Sequence, residues 1–343
     1  MVVRVLHLTG SPVSAFHDDL SRLYAADCLR ATHDPARYDH VVAHVAPDGR
    51  WRFPTELSDD ALAAAQALTL PQAVDHLTRL QVDVMVPQMF CLPGMTTYRS
   101  LFDLLAIPYV GNPPDVMALG AHKARTRAVV EAAGVSVPPG QVVRRGQSVT
   151  LDPPVVVKPV DADNSLGVSL VTTEAGYGQA LDTAFDHADE VLVERFVPLG
   201  REVRCGVLER AGQLSCLPLE EYAVDAVTKP IRDAADKLRR AEAGDLHLVA
   251  KDAEHAWLVD PTDPVTPAVW RAAAACHRAL GCRDYSLFDF RVDPEGRVWF
   301  LEASLYWSFA PTSVLTAMAG AAGTDLCDGF EDAVRSAVAR RPS

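Results

Sequence analysis

The sequence predicts an α/β protein of three domains that becomes α+β in its C-terminal half. The length of 343 residues suits two or three domains at about 100–200 residues each. In the first third of the chain, apolar runs of strand length alternate with segments of helical spacing, which is typical of a parallel sheet covered by helices. Beyond residue 140, short apolar runs stand between turns, which is typical of antiparallel sheets.

The first predicted domain covers residues 1–112. Its first strand is the apolar run Val2–Leu8, which we interpret as a strand rather than a signal peptide because no cleavage-site pattern follows it. Helical spacing over Asp18–Ala31 predicts a helix next, and Val41–Val45 and Val82–Val86 are further strands. This alternation indicates one α/β domain.

The central domain is predicted at residues 113–195 and the C-terminal domain at residues 196–343. One long helix is expected over Asp115–Ala133, because Gly134 follows it as a helix terminator. The run Asp233–Asp252 is charged and non-periodic, so it is predicted to be a mobile loop.

The composition excludes several classes of function. A net charge of -13 repels nucleic acid and anionic membrane, so neither is an expected partner. No run approaches the ~18 consecutive apolar residues of a membrane span, and the expected location is cytoplasmic. The seven cysteines are odd in number and form no C-x-x-C pair, which favours free thiols over zinc binding or disulfides.

Lysine is rare in this chain. Of the 32 basic residues only five are lysine, namely Lys123, Lys158, Lys229, Lys237 and Lys251. Arginine therefore stands wherever either residue would serve, and the lysines are enriched at positions that need a compact ammonium group. Chance survival is the alternative, above all for Lys229 and Lys251.

The first group of candidate binding residues follows the apolar strand Val155–Val157. Lys158 ends this strand, and a polar turn that contains Ser165 and Gly167 reverses the chain. Backbone N–H groups of such a turn can hold a phosphate, and the ammonium group neutralises its charge. An ordinary hairpin with one lysine is the alternative.

A second group surrounds the apolar strand Val191–Val193. Glu194 ends the strand, a hinge through Arg195 and Val197 follows, and Glu202 comes after the hinge. Adenine needs hydrogen bonds from a hinge backbone, and ribose hydroxyls need a carboxylate acceptor. Surface charge beside a strand is the alternative.

The third group is a pair of carboxylates on two strands joined by a tight turn. Asp289 lies in Ser286–Val292 and Glu302 in Val298–Ala303, so the two can lie side by side on one face of a sheet. Adjacent carboxylates between aromatic residues repel each other unless a cation joins them. Hard oxygen ligands predict Mg²⁺ that bridges the phosphates of ATP. Solvated carboxylates are the alternative.

The order of these groups resembles the D-alanine–D-alanine ligase branch of the ATP-grasp superfamily over nearly the whole chain. The resemblance implies an ATP-grasp fold with ATP and Mg²⁺ as cofactors. It implies phosphate contacts from Lys123, Lys158 and Lys237, a phosphate turn with Ser165 and Gly167, adenine contacts from Glu194, Arg195 and Val197, a ribose contact from Glu202, and metal ligation by Asp289, Glu302 and Ser304.

Three positions depart from the family pattern. The N-terminal substrate glutamate is absent, with Phe16 and His17 in that region. The arginine two residues before the metal aspartate is Leu287, and the asparagine two residues after the metal glutamate is Ser304. Because alternate residues of a strand share a face, Arg291 is expected to supply the positive charge missing at Leu287. The expected catalytic residues are Lys158, Lys237 and Arg291.

Six segments are similar, more specifically, to the ligases of mycosporine-like amino acid biosynthesis. They are DLSRLYAADCLRA, PDGRWRFPTELS, PQMFCLPGMTTYRSLFDLLAIPYVGN, DNSLGVSLV, LGREVRCGV and LPLEEYAVD. This resemblance implies that ATP phosphorylates the ring oxygen of mycosporine-glycine and that the amine of Ser, Thr or a similar amino acid then displaces phosphate. The product would be a UV-absorbing imine such as shinorine or porphyra-334.

The expected partners are therefore small molecules, mycosporine-glycine and an amino acid, and the family implies a homodimer. The expected substrate contacts are Ser14, His17, Tyr306, Ser308 and Ser313. The aromatic side chains that could pack on the acceptor ring, or else serve only as core, are Phe16, Tyr285, Tyr306 and Trp307. Two alternatives stay open: a D-alanine–D-alanine or other dipeptide ligase, and a non-catalytic nucleotide-binding regulatory module.

Overall fold

The computed structural model describes residues 2–162, 165–225, 228–231, 238–240, 246–248 and 255–341. The N-terminal part contains a four-stranded sheet in the order β3-β2-β1-β4. Its strands are Val3–Gly10 (β1), Tyr38–Val45 (β2), Trp51–Arg52 (β3) and Val84–Pro87 (β4). β1 is parallel to β2 and β4, whereas β3 is antiparallel to β2. The predicted parallel sheet is thus present.

Helices cover both faces of this sheet. They are Ala15–Ala31 (α1), Asp59–Ala64 (α2), Leu70–Arg79 (α3), Leu92–Met95 (α4) and Thr97–Leu104 (α5). Leu6 packs in one core cluster with Leu77 of α3 and Phe102 of α5. Val5, which points to the opposite face because side chains alternate along a strand, packs with Cys28 of α1.

The segment predicted as one long helix forms two, Pro114–Gly120 (α6) and Lys123–Ala132 (α7). The prediction of a continuous helix is wrong because tertiary contacts break it. The backbone N–H of Lys123 donates to the carbonyl of Val160 at 2.7 Å rather than to a helical partner. A Cβ on Gly120 would lie 2.4 Å from a methyl group of Leu305, so the chain passes too close for a larger residue.

The central part is a four-stranded antiparallel sheet in the order β5-β8-β6-β7. Its strands are Gly140–Arg144 (β5), Val155–Pro159 (β6), Ser169–Val171 (β7) and Glu190–Arg195 (β8), and one helix, Tyr177–Phe185 (α8), packs on it. This sheet has a core of its own, formed by residues of β5–β8 and α8. By contrast α6 and α7, which fall in the predicted central domain, pack on the C-terminal sheet.

The C-terminal part is a six-stranded sheet in which β14, β11, β9, β15 and β16 lie in that order and β10 pairs with β9. The strands of this part, with the separate pair β12 and β13, are Arg201–Arg210 (β9), Gln213–Cys216 (β10), Glu220–Tyr222 (β11), Leu238–Arg240 (β12), Leu246–Leu248 (β13), Ala256–Leu258 (β14), Tyr285–Val292 (β15) and Val298–Ser304 (β16). The helices are Thr266–Ala279 (α9), Val314–Ala321 (α10) and Leu326–Ala339 (α11).

The predicted loop at Asp233–Asp252 needs correction in its described residues. β12 and β13 pair there as antiparallel strands of three residues each, which are too short to give a periodic signal in a sequence. Lys237 and Lys251 lie outside the described residues. Among those described, no helix has the length and apolar character that crossing a membrane requires.

Asn112, which is fully buried, joins the N-terminal and C-terminal sheets. Its Nδ2 donates to the carbonyls of Tyr285 and Leu305 at 2.9 and 2.8 Å. Its Oδ1 accepts from the backbone N–H of Arg283 at 2.8 Å. A buried side-chain amide whose nitrogen and oxygen are both hydrogen-bonded fixes the relative position of the segments it joins.

Candidate active site

A cavity with an empty volume of about 770 Å³ opens between the central sheet and the C-terminal sheet. It collects most of the predicted nucleotide and metal residues into one place. Those that line it are Lys123, Lys158, Ser165, Glu194, Arg195, Val197, Glu202, Asp289, Arg291 and Glu302. Of the other three predicted residues, Gly167 and Ser304 are not part of the lining, and Lys237 lies outside the described residues.

Lys158 and Glu194 form an ion pair in the wall of this cavity. They stand on the adjacent strands β6 and β8, and Lys158 Nζ lies 2.5 Å from Glu194 Oε2. Arg127 Nε approaches the other carboxylate oxygen at 3.5 Å. Both members of the pair are buried, so each depends on the other for its charge to be tolerated. The ammonium group is thereby held at the cavity with a defined position.

Lys123 stands at the N-terminus of α7, where its ammonium group donates to the carbonyl of Ala162. The turn after β6 contains two residues in the left-handed backbone conformation, Ser165 with φ 58° and Gly167 with φ 70°. A Cβ on Gly167 would meet Pro159 at 2.8 Å and His187 at 2.9 Å. Glycine is therefore required there by backbone conformation and by packing, and it positions the turn that carries Ser165.

Glu202 and Arg291 are a second buried ion pair, at the opposite wall of the cavity. They are directly opposed on β9 and β15, and Arg291 donates to Glu202 Oε2 at 2.6 Å. Arg291 also donates to the carbonyls of Val197 and Pro230 and lies 5.2 Å from the ring centroid of Phe196. These contacts commit its guanidinium group to the hinge, and they argue against the predicted role of replacing an arginine at position 287.

Asp289 and Glu302 are directly opposed on β15 and β16, as the sequence predicted. Asp289 is 1% exposed and accepts from Arg204 Nε at 2.6 Å and from a second Arg204 nitrogen at 3.3 Å. Burial lowers the pKa of Arg204, but Asp289, Tyr222 and Glu220 together outweigh it and raise that pKa well above its usual value. The guanidinium group is the cation that this buried carboxylate requires.

The donor set fits Mg²⁺. Asp289 and Glu302 offer hard oxygen atoms on one face, and Ser304, two residues beyond Glu302 on β16, adds a hydroxyl to that face. Within the described ranges, no group of three or more His, Cys, Asp or Glu side chains converges as a metal site. An ion held here would therefore complete its coordination with phosphate oxygens and water, which is how Mg²⁺ commonly binds beside ATP.

Arg204 was missed by the sequence reasoning. The available signal was the alternation in Arg201-Glu202-Val203-Arg204, which puts Glu202 and Arg204 on the same face of a strand. Leu287, by contrast, is 5% exposed and packs in an apolar cluster with Leu315 and Met318. No polar group of this strand takes its place.

The predicted substrate residues lie around the junction of the N-terminal and C-terminal sheets. Ser14 caps α1, and its hydroxyl is 2.9 Å from His17 Nδ1. The Ser308 carbonyl accepts from Gln88 at 3.0 Å, and Ser313 is the residue before α10. Their roles as substrate contacts stay predictions.

Three aromatic rings meet at this junction. The Phe90 ring lies 5.2 Å from that of Tyr24 on α1 and 5.3 Å from that of Tyr306 after β16. Tyr285 and Trp307, which were considered as ring contacts, are buried in the core cluster with Phe309. For those two residues the core-packing interpretation is correct. Phe16 is partly buried and contacts the His17 ring.

The fold and this cavity define a ligase of the ATP-grasp class. A sequence model described as "D-ala D-ala ligase C-terminus" matches residues 130–332. The D-alanine–D-alanine ligase of Geobacter sulfurreducens is 34% identical over 293 residues, which cover 80% of this chain and 81% of that protein. That of Pelobacter propionicus is 33% identical over 243 residues, covering 69% and 71%. The chain belongs to the D-alanine–D-alanine ligase family.

Solved structures agree on the fold. The VanG D-Ala:D-Ser ligase from Enterococcus faecalis superimposes with a TM-score of 0.77 at 20% identity and covers 98% of this chain and 100% of that one. The D-alanine–D-alanine ligase from Bacillus anthracis complexed with ATP gives 0.71 at 19% identity and covers 99% of each chain. The protein is thus an ATP-dependent ligase that forms a carbon–nitrogen bond and uses ATP and Mg²⁺.

Proposed function

We propose that this ligase joins the amine of an amino acid such as Ser or Thr to mycosporine-glycine. The single observation that carries the proposal is the apolar surrounding of Leu287, where the family pattern has an arginine. A ligase that activates a free carboxyl group needs a positive charge there for the tetrahedral oxyanion. A leucine packed against Leu315 and Met318 cannot provide it. Because the reaction consumes ATP, we place it in the cytoplasm.

The N-terminal wall of the acceptor site supports the same proposal. A dipeptide ligase must pair the α-ammonium group of its first amino acid, since an unpaired desolvated charge costs several kcal/mol. Phe16 provides no carboxylate. Asp18, two residues on, is buried and bound to His44 at 2.9 Å, and Asp19 is exposed. The nearby rings of Tyr24, Phe90 and Tyr306 offer apolar faces that suit a cyclohexenone better than alanine.

In the proposed reaction, the ring oxygen of the acceptor attacks the terminal phosphorus of ATP, and ADP leaves. The amine nitrogen then bonds to the activated ring carbon, the carbon–oxygen bond breaks, and phosphate departs with the electron pair while the amine loses a proton. Lys123 and Lys158 neutralise phosphate charge, and Glu202 accepts from the ribose hydroxyls. Mg²⁺, held by Asp289 and Glu302 with Ser304, would supply further positive charge at the transferred phosphoryl group.

A dipeptide ligase is the second candidate, and the comparisons favour it over mycosporine-glycine ligation. The curated relatives from Geobacter sulfurreducens and Pelobacter propionicus are both named D-alanine–D-alanine ligases. In that case the missing positive charge at Leu287 must come from another side chain of the site. A non-catalytic regulatory module is disfavoured by the intact carboxylate pair Asp289 and Glu302.

The test is a product assay with two acceptors. The protein is incubated with ATP and Mg²⁺, in one arm with mycosporine-glycine and a mixture of amino acids, and in the other with D-Ala alone. ADP release and product masses are measured, with Lys158→Ala as the background control. The proposal predicts an amino-acid adduct of the ring substrate and no D-Ala dimer. Dipeptide formation without a ring product would instead establish the second candidate, and absence of ADP release in both arms would contradict both.

A further inference from the structure

Four adjacent strands of the C-terminal sheet place charged residues in a single row. Glu220 on β11 is opposite Arg204 on β9, Arg204 is opposite Asp289 on β15, and Asp289 is opposite Glu302 on β16. Directly opposed residues of antiparallel strands point to the same face of a sheet. One guanidinium group therefore stands in a row with three carboxylates, two of which face the nucleotide cavity.

Arg204 is not part of the lining of that cavity, whereas its partner Asp289 is. Asp289 and Glu302 belong to the lining. Arg204 lies on the neighbouring strand β9, on the side of Asp289 opposite to Glu302. Its side chain is 12% exposed and its guanidinium carbon lies 5.2 Å from the ring centroid of Tyr222. The group thus lies beside Asp289, one row along the sheet from the Glu202–Arg291 pair.

The next row of the sheet contains no charged residue on β9, β15 or β16, where Gly206, Leu287 and Ser304 are opposite one another. Leu287 is opposite Gly206, where a Cβ would come within 2.7 Å of Leu315 and 2.9 Å of Leu217. Neither strand can therefore present a charged side chain at that position. The positive charge beside Asp289 comes from the neighbouring strand, through Arg204, and not from position 287 of the same strand.

Arg204 and Mg²⁺ compete for one carboxylate. Asp289 accepts one hydrogen bond from Arg204 at each of its two oxygens, so a metal ion on the same carboxylate would lie beside the guanidinium group, and the two positive charges would repel each other. Without any cation, a carboxylate that is 1% exposed is strongly disfavoured. Arg204 neutralises Asp289, and repulsion between the two cations would weaken this contact when a metal ion binds the same carboxylate.

We propose that Arg204 is the cation of the acceptor end of this site: it holds Asp289 in the metal-free enzyme and turns to the acceptor oxygen once Mg²⁺ has taken Asp289. There it stabilises the negative charge that collects on that oxygen and on the departing phosphate as the carbon–oxygen bond breaks. The second part of the proposal rests on the proposed ligase function. The first part, the exchange at Asp289, does not depend on which acceptor is used.

The experiment uses the full chain with three substitutions. Arg204→Leu removes the charge and Arg204→Lys keeps it. The matched control is Arg201→Leu, because Arg201 is on the same strand and pairs with the two carboxylates Glu221 and Asp263 on the other face. The first measurement is the Mg²⁺ dependence of binding of a non-hydrolysable ATP analogue by calorimetry. The second is turnover with both acceptor mixtures, and circular dichroism establishes folding.

We expect Arg204→Leu to reach half-saturation at about threefold less Mg²⁺ or lower, because a competing cation is gone. Its turnover should fall about 10²–10³-fold, as for loss of one group that stabilises the transition state. Arg204→Lys should recover part of both values, and Arg201→Leu should change neither. If Arg204→Leu does not fold, Arg204→Gln gives the same two measurements with a smaller change of shape.

An unchanged or increased Mg²⁺ requirement in a folded Arg204 variant would overturn the exchange at Asp289. Turnover within about threefold of the parent would overturn the role at the acceptor, since loss of a stabilising charge costs far more. If the parent protein itself releases no ADP with either acceptor, the proposed function fails, together with the acceptor role that rests on it. The Mg²⁺ titration then still decides the exchange at Asp289.

Discussion

Lys158 and Glu194 are diagonal neighbours on two antiparallel strands, with the ammonium nitrogen and a carboxylate oxygen 2.5 Å apart and both residues buried. The lysine that is predicted to neutralise phosphate is therefore also the partner of a buried carboxylate. Removing it affects catalysis and stability together, and the two effects can be separated by changing both members of the pair.

Lys158→Ala should lower turnover about 10²–10³-fold, because one charge-stabilising group is lost from the transferred phosphoryl. It should also destabilise the fold, by less than the roughly 3–5 kcal/mol of an uncompensated buried charge, since Glu194 keeps only the more distant Arg127 as a cation. The double variant Lys158→Ala/Glu194→Gln should recover most of the stability in urea unfolding while turnover stays low. Turnover near the parent value in either variant would refute the phosphate role.

Glu302→Gln should raise the Mg²⁺ concentration needed for half-maximal turnover, because one of two anionic ligands becomes neutral. Glu221→Gln is the matched control: Glu221 lies on β11 and pairs with Arg201 on the opposite face of the sheet. The measurement is turnover against Mg²⁺ concentration at constant ATP. Equal dependence in the parent and in Glu302→Gln would mean that Glu302 has only a structural role.

Gly167→Ala should weaken ATP binding. At φ 70° an alanine costs about 1–2 kcal/mol, and its Cβ would also push against Pro159 and His187. Gly146→Ala is the control, since Gly146 has φ 86° and nothing within 4 Å of an added Cβ. Both variants should lose stability, and only Gly167→Ala should show a raised KM for ATP. If the two variants bind ATP alike, the turn does not position the phosphates.

Acidification should destabilise the N-terminal domain through His7. Burial first, and the His40 ring second, hold the pKa of His7 well below 6.5, so the folded chain keeps this ring neutral. The unfolded chain binds a proton below about pH 6.5, and the stabilisation present above that pH is therefore lost as the pH falls. Urea unfolding of His7→Phe should show a pH dependence smaller by up to about 1.4 kcal/mol per unit. His187→Gln, at an exposed position, should keep the parent's dependence.

The sequence alone was sufficient to predict those site residues whose positions depend only on their near neighbours along the chain. Lys158 at the end of a strand, and Asp289 and Glu302 on two strands joined by a turn, each need only a few neighbours along the chain to be recognised. The antiparallel register that places Asp289 opposite Glu302 follows from that turn. This is why their adjacency was predicted correctly.

What the sequence could not predict depends on distant contacts. Arg204 and Asp289 are 85 residues apart in the chain, and only the pairing of β9 with β15 makes them partners. The break before Lys123 comes from a hydrogen bond to Val160, which no helical periodicity reveals. Arg291 was placed on the correct face, but its partners Glu202, Val197 and Pro230 belong to other segments.

The buried amide of Asn112 bears on which part of the enzyme we expect to move. Its hydrogen bonds to the carbonyls of Tyr285 and Leu305 hold the N-terminal part against the C-terminal sheet. The central sheet has a separate core, so the freedom to open the cavity is left to that sheet. We therefore expect Lys158 to move with this sheet relative to Asp289 and Glu302 when the cavity opens, which would change the distance between the ammonium group and the two carboxylates. On this basis we expect the rate of ADP release to follow the opening of the central sheet.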